Sequence, residues 1–120
     1  MPSERPKDRL SDIIENAASI QRYTANMDLA FFEADPKTRD AVERCLERIC
    51  EAAAKLGAQA LTMMPDQPWA EIRSLGNRLR HEYDLIRPDR LWDIIRIDVP
   101  SLKSACAKAL QELPHDDHDS

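Results

Sequence analysis

The chain has 120 residues, of which 42% are hydrophobic and 32% are charged, and it contains only two glycines. Such a length and composition describe one helix-rich globular domain, and they exclude an intrinsically disordered chain. The formal net charge of −5 further disfavours a protein that binds nucleic acid strongly and without specificity.

The first predicted helix runs from Lys7 to about Thr24, because its apolar residues recur at steps of three and four. The residues of this apolar stripe are Leu10, Ile13, Ile14, Ala17, Ile20 and Tyr23. The opposite face is charged and is expected to be solvated. A short helical turn, which starts at Asn26 or Met27 and ends at Glu33, is predicted to follow.

A second long helix is predicted to begin at Asp35 and Pro36, an N-cap residue followed by a first-turn proline. Its apolar stripe comprises Val42, Cys45, Leu46, Ile49, Ala53 and Leu56. The alanine-rich sequence that ends at Lys55 has high helix propensity, so the helix should extend at least that far. Gly57 is expected either to cap this helix or to lie inside it, and the pattern does not decide between the two.

Prolines mark the boundaries of the helices in the second half of the chain. Met63–Gln67 is predicted to be a loop, and Pro68 then suits the first turn of the helix that follows it directly. Pro88 disfavours helical backbone at the residue before it, so this helix should end near Arg87. Pro88 also opens the next helix, and Pro100 is expected to kink or restart it.

These patterns predict an all-α protein whose helices, about five in number, form an antiparallel bundle. No segment shows the alternating pattern of a half-buried strand. The bundle domain should span residues 7–113, and residues 114–120 should form a disordered acidic tail. Several wide apolar stripes in so small a domain would leave apolar surface exposed, so we expect a homodimer.

The sequence also bears on location and on metal ions. It has no apolar run long enough to cross a membrane and no signal-peptide stretch at its N-terminus, so we expect a cytoplasmic protein. Cys45, Cys50 and Cys106 fit no metal-ligand or redox spacing and are interpreted as buried, reduced thiols. His115 and His118 lie among aspartates, where a solvated tail is a better interpretation than a metal site. We therefore expect neither a metal ion nor a cofactor.

The helix after Pro68 contains the residues best suited to chemistry. His81 is the only histidine outside the C-terminal tail, and Asn77, Arg78 and Asp84 lie three or four residues from it. Residues at this spacing share one surface of a helix. Imidazole moves protons near neutral pH and guanidinium groups bind phosphate oxygens, so the cluster suits phosphate-ester chemistry. The alternative is a solvated histidine among surface charges.

The chain resembles the HepT-like members of the HEPN superfamily, most specifically in the sequence P-W-A-E-I-R-S-L-G-N-R-L-R-H-E-Y-D of this helix, in Trp92 of the following helix and in the later V-P-S-L. The resemblance covers about residues 7–112. It implies a homodimeric helical bundle whose paired helices form a cleft, and metal-independent cleavage of RNA. It also implies a toxin paired with an MNT-type nucleotidyltransferase antitoxin, which can transfer AMP to the tyrosine two positions after the histidine. That tyrosine is Tyr83 here.

The nuclease motif of the family is an arginine, four intervening residues, a histidine, one residue and a tyrosine. The histidine and the tyrosine match, and Asn77 fills its usual place, but Gly76 occupies the position of the arginine. A side chain at position 76 is expected to lie beside Asn77 and His81, unless the glycine packs against another helix. A displaced arginine would then have to bind the phosphate. Arg73, Arg78 and Arg80 are the candidates, and of these Arg78 and Arg73 are assigned to the site.

Three functions are compatible with this sequence. The first is a toxin that cleaves RNA, with His81 as general acid and base and a displaced arginine at the phosphate. The second is a catalytically inactive helical bundle that acts through its nucleotidyltransferase partner. The third is a purely structural dimer. Gly76 shifts the balance from the first function toward the second, and the family resemblance favours a toxin–antitoxin role over the third.

Overall fold

The computed structural model describes residues 5–81 and 86–114, and all regular secondary structure within these ranges is helical. The α-helices are α1 (Pro6–Thr24), α2 (Leu29–Glu33), α3 (Pro36–Leu56), α4 (Ala58–Met63), α5 (Trp69–His81), α6 (Pro88–Asp93) and α7 (Val99–Glu112). A π-helical segment, Ile94–Asp98, connects α6 to α7. The predicted all-α fold is confirmed. None of the helices in the described ranges combines the length and the apolar character needed to span a membrane.

The two long helices α1 and α3 form the centre of the bundle. The α1 helix packs against α3 on one side and α7 on the other, and α5 packs against α3. Near the start of α7, Nζ of Lys103 donates a hydrogen bond of 2.9 Å to Oε1 of Gln21, near the end of α1. Cys106 and Ala109, farther along α7, are also buried. The α7 helix therefore runs back along α1 in the opposite direction.

The apolar stripe of α1 forms one wall of the core, with one difference from the prediction. The predicted core residues Leu10, Ile13, Ala17 and Ile20 are buried. Tyr23, in contrast, is 45% exposed, and Thr24 takes the inward position. The hydroxyl of Thr24 donates a hydrogen bond of 2.8 Å to the carbonyl oxygen of Ile20, which satisfies this buried polar group.

Identifiable residues set both ends of α3. Oδ1 of Asp35 accepts a hydrogen bond from the backbone N–H of Thr38 (3.1 Å), and Oδ2 accepts one from its hydroxyl (2.8 Å). These bonds lower the pKa of Asp35 below its ordinary value, and the bond from the Thr38 hydroxyl contributes more than the bond from its backbone N–H. At the other end, Gly57 has a φ of 56° and donates its N–H to the carbonyl oxygens of Ala53 and Ala54. Gly57 is therefore the cap of α3 and not an interior residue.

Pro88 and Pro100 lie at the helix boundaries that the sequence predicted, while the predicted end of α5 near Arg87 follows residues outside the described ranges. Pro88 begins α6. Ahead of Pro100 the helix widens, because the N–H of Val99 bonds to the carbonyl oxygen of Ile94, five residues earlier. This π-helical turn lets the chain stay helical up to a residue that has no N–H to donate. The expected restart at Pro100 is thus a local change in helical pitch.

Candidate functional site

The α5 helix places most of the candidate residues on its solvent side. Gly76 and Leu79 are buried, whereas Arg73, Asn77 and His81 are exposed. The three exposed residues are four apart and form one stripe, which rises about 6 Å at each step. Asn77 is therefore the direct neighbour of His81, while Arg73 lies about 12 Å along the helix axis from it.

Gly76 faces α3, and its missing side chain permits the contact between the two helices. A Cβ atom at position 76 would lie 2.9 Å from the Cβ of Cys50. That atom belongs to the rigid base of a side chain, so it cannot swing away as the end of a flexible side chain does. Position 76 therefore points into the α3–α5 contact and not toward His81. The expectation that its side chain would project beside Asn77 and His81 was wrong, and the alternative of helix packing holds.

Cys50 contributes a second contact between these helices. Its Sγ donates a hydrogen bond of 3.4 Å to the carbonyl oxygen of Ile72 in α5. Burial raises the pKa of Cys50 to about 11, so the thiol stays protonated at neutral pH and retains the hydrogen that it donates. The predicted buried thiols at Cys45, Cys50 and Cys106 are confirmed, and none of them forms a disulfide.

Arg80 was one of the three candidate arginines but was not assigned to the site from the sequence. One terminal nitrogen of its guanidinium donates a hydrogen bond of 2.6 Å to the side-chain oxygen of Asn77. The other lies 3.6 Å from the position that a Cβ of Gly76 would occupy. The guanidinium thus lies over the glycine and is held by the neighbour of His81. The available signal was the spacing, since Arg80 follows Asn77 by three residues and Gly76 by four.

Arg78 lies on a different side of α5. It lines a cleft of about 330 Å³ between α3, α5, the π-helical segment and α7, whose charged lining residues also include Glu71, Arg90 and Asp98. Residues two apart on a helix do not face each other, so Arg78 and Arg80 project in nearly opposite directions. The structure thus separates the candidate arginines: Arg78 toward the cleft, Arg80 beside Asn77, and Arg73 two turns from His81.

Several predicted residues lie outside the described ranges. These are Tyr83 and Asp84 after α5, and His115 and His118 in the C-terminal tail. A guanidinium nitrogen of Arg39 in α3 donates a hydrogen bond to the carbonyl oxygen of Ile86, which lies shortly before α6. The same guanidinium forms an ion pair of 3.3 Å with Glu43. Ile86 is therefore held against α3.

Comparison with known proteins relates this helix to a family. A family model described as “Ribonuclease HepT-like” matches residues 13–109. The chain is similar to “Probable ribonuclease HepT” of Thermococcus cleftensis, with 34% identity over 102 residues that cover 85% of this chain and 93% of the relative. It is also similar to “Putative RNase MJ0127” of Methanocaldococcus jannaschii, with 32% identity over 120 residues, or 100% of this chain and 99% of the relative. No solved structure matches the chain significantly.

The matched region includes all of α5, and with it the exposed histidine, the neighbouring asparagine and the buried glycine. The relatives match over nearly their whole lengths, so the similarity extends beyond one motif to the complete bundle. This chain belongs to the ribonuclease HepT-like family.

Proposed function

We propose that this protein is the toxin of a toxin–antitoxin pair and that it cleaves RNA slowly and without a metal ion. The observation that supports the proposal most directly is the exposed pair of Asn77 and His81, one turn apart on α5, in a HepT-like chain. The side-chain amide of Asn77 can donate to a phosphate oxygen, and an imidazole at this spacing can reach the neighbouring ribose of the same RNA segment. Gly76 is the reason for expecting slow cleavage.

The reaction requires two proton transfers. The 2′-oxygen of a ribose attacks the adjacent phosphorus while the bond from phosphorus to the 5′-oxygen breaks. His81 accepts the proton of the 2′-hydroxyl and returns a proton to the departing 5′-oxygen, so that the imidazole ends in its starting state. The products are a 2′,3′-cyclic phosphate and a free 5′-hydroxyl. A nearby guanidinium stabilises the negative charge that builds on the phosphate oxygens.

The protein acts as a homodimer in this proposal. Among the described residues, four large apolar side chains are exposed, namely Tyr23 (45%), Leu61 (55%), Phe31 (65%) and Ile97 (65%). A second copy of the chain would cover part of this surface. Light scattering at micromolar concentration is expected to give twice the chain mass of 13.7 kDa. A mass equal to one chain would contradict the dimer.

The partner in this proposal is a nucleotidyltransferase antitoxin that transfers AMP to Tyr83 in the cytoplasm. Expression of the chain alone should then slow growth and fragment RNA, and co-expression with the proposed nucleotidyltransferase antitoxin should reverse both effects. The intact mass of the co-expressed chain should rise by one AMP group, and Tyr83→Phe should remove the increase. Unchanged growth and intact RNA during expression alone would contradict the toxin, and a mass increase that persists in Tyr83→Phe would contradict the modification site.

A second candidate function is favoured by the contact between Gly76 and Cys50. The motif arginine is absent at position 76. Because α3 packs closely against Gly76, an arginine introduced there would disturb the fold. A bundle of this kind would bind its nucleotidyltransferase partner without cleaving RNA. In the same expression experiment, Tyr83 would gain AMP in cells that also express the partner. In cells that express the chain alone, RNA would stay intact.

A further inference from the structure

We infer that Arg80 is the phosphate-binding residue of this site and replaces the arginine that is missing at position 76. This inference rests on the proposed function, because it assigns a role toward the RNA phosphate. It goes beyond the sequence pattern, which left Arg73, Arg78 and Arg80 open and favoured Arg78 and Arg73. Its basis is the position of one guanidinium group relative to Gly76 and Asn77.

The guanidinium of Arg80 lies next to the volume that a side chain at position 76 would occupy. Arg80 lies one turn after Gly76, so the two residues are neighbours on the helix surface. One guanidinium nitrogen of Arg80 approaches to 3.6 Å from where a Cβ at position 76 would be. A Cβ at this distance would only touch the guanidinium, but a longer side chain at position 76, such as the arginine of the family motif, would compete with Arg80 for this volume. The glycine therefore leaves room for the guanidinium of Arg80 beside the motif position.

The guanidinium of Arg80 donates a hydrogen bond to Asn77. A free arginine side chain on a helix surface samples many rotamers, and binding a ligand costs the entropy of fixing them. The bond of 2.6 Å to the Asn77 side chain fixes the Arg80 guanidinium before any ligand binds. It uses only one of the five N–H donors of the group, so donors remain for phosphate oxygens. Asn77 is in turn the neighbour of His81, which places charge and imidazole on one surface.

The charge of the Arg80 guanidinium also bears on the binding of an anion. Arg87 and Arg39 are both neutralised by ion pairs, with Asp89 at 2.8 Å and Glu43 at 3.3 Å. Within residues 5–81 and 86–114, no carboxylate forms an ion pair with Arg80. Its partner is instead the neutral amide of Asn77. Among the described residues, the guanidinium of Arg80 is thus held by a group that does not cancel its charge, which suits the binding of an anion.

The test measures binding separately from cleavage. The probe is a short single-stranded 2′-O-methyl RNA, which lacks the attacking hydroxyl and stays intact. Its affinity for the full-length protein is measured as a function of salt concentration. Loss of one phosphate contact should reduce the slope of log K against log salt by about 0.7 for a single strand. Arg80→Ala should show this reduction, whereas Lys108→Ala, which removes one exposed charge from α7, should leave the slope unchanged.

Two further variants separate charge from mere structure. Asn77→Asp keeps a partner for Arg80 but neutralises the guanidinium, and it should reduce the slope as Arg80→Ala does. Arg80→Lys keeps the charge but loses the planar fork, and it should retain the slope while cleavage of ordinary RNA falls. For Arg80→Ala the fall in cleavage should be about 10²- to 10³-fold, as for removal of one group that stabilises the transition state. Melting curves establish that each variant is folded.

The outcomes distinguish this inference from the function on which it rests. An unchanged slope in folded Arg80→Ala overturns the role of Arg80. A reduced slope in Arg78→Ala or Arg73→Ala, with none in Arg80→Ala, would assign the phosphate contact to that other arginine. If His81→Ala cleaves RNA as fast as the wild type, the proposed function fails, while the salt dependence still decides whether Arg80 binds phosphate. A reduced slope in Arg80→Ala together with loss of cleavage in both His81→Ala and Arg80→Ala supports both.

Discussion

Replacement of His81 by alanine is expected to lower the rate of RNA cleavage by about 10²- to 10⁴-fold, the usual contribution of a general acid–base group. The imidazole is the group of the exposed stripe that both accepts and returns a proton near neutral pH. His81 is exposed at the end of α5, so its removal creates no cavity and should leave the melting temperature nearly unchanged. Single-turnover cleavage of an RNA oligonucleotide measures the effect.

The control for this variant is Ser74→Ala, an exposed change on the same helix that should leave the rate unaltered. Addition of EDTA to the wild-type protein should also have no effect, because the proposed proton transfers need no metal ion. Cleavage that persists at the wild-type rate in His81→Ala would exclude the imidazole from the reaction. A loss of cleavage in EDTA would instead point to a metal ion that the proposal does not include.

The fold could be predicted from the sequence wherever a local pattern determines it. The Asp35–Pro36 start of α3 was predicted because an N-cap and a first-turn proline act within four residues. The inward face of α1 was predicted from the spacing of its apolar residues, except at its last turn. There Tyr23 and Thr24 follow Ile20 by three and by four residues, so the spacing allows either to point inward. Thr24 took the inward position from Tyr23 because its hydroxyl bonds to Ile20 one turn earlier. Burial of a polar residue is the kind of outcome that an apolar pattern does not indicate.

The candidate site was harder to predict because it depends on contacts between distant parts of the chain. The sequence identified α5, the exposed His81 and its neighbour Asn77. It could not establish that Gly76 faces Cys50, since the two residues are 26 positions apart and meet only when α5 packs on α3. The direction of the Arg80 side chain, with one guanidinium nitrogen near Gly76 and the other on Asn77, is likewise visible only in the folded chain. Selecting among the arginines therefore required the structure.

Replacement of Gly76 by arginine is expected to destabilise the protein by several kcal/mol and not to restore a motif arginine. Even the Cβ of the new side chain would lie 2.9 Å from the Cβ of Cys50, so the helices must move apart before the rest of the side chain is placed. Overpacking of a core by smaller groups already costs about 1–3 kcal/mol. Against a typical total stability of about 5–15 kcal/mol, the loss should appear as a large fall in the urea midpoint. A folded Gly76→Arg variant with wild-type stability and faster cleavage would contradict this prediction.

Gly76→Ala separates the two opposing effects at this position. Alanine favours helix by about 1 kcal/mol over glycine, which alone would stabilise α5. The contact with Cys50 opposes this gain, and because the Cβ of Cys50 is fixed to the backbone of α3, we expect the steric cost to exceed it. The free energy of unfolding should therefore fall, by up to about 2 kcal/mol after the gain in helix propensity is subtracted. Stabilisation by Gly76→Ala would show that the helices are not in close contact here.

A double-mutant cycle with Cys50 tests whether that contact is the cause. Cys50→Gly removes the Cβ that the new methyl group would meet, so in this background Gly76→Ala should stabilise the protein by about 1 kcal/mol, the unopposed gain in helix propensity. Cys50→Ala is the matched control, because it deletes the thiol but keeps the Cβ. In that background Gly76→Ala should remain destabilising. Whether Gly76→Ala raises or lowers the free energy of unfolding thus depends on one atom of α3, the Cβ of Cys50. Equal effects in the Cys50→Gly and Cys50→Ala backgrounds would assign the cost of a side chain at position 76 to some other neighbour.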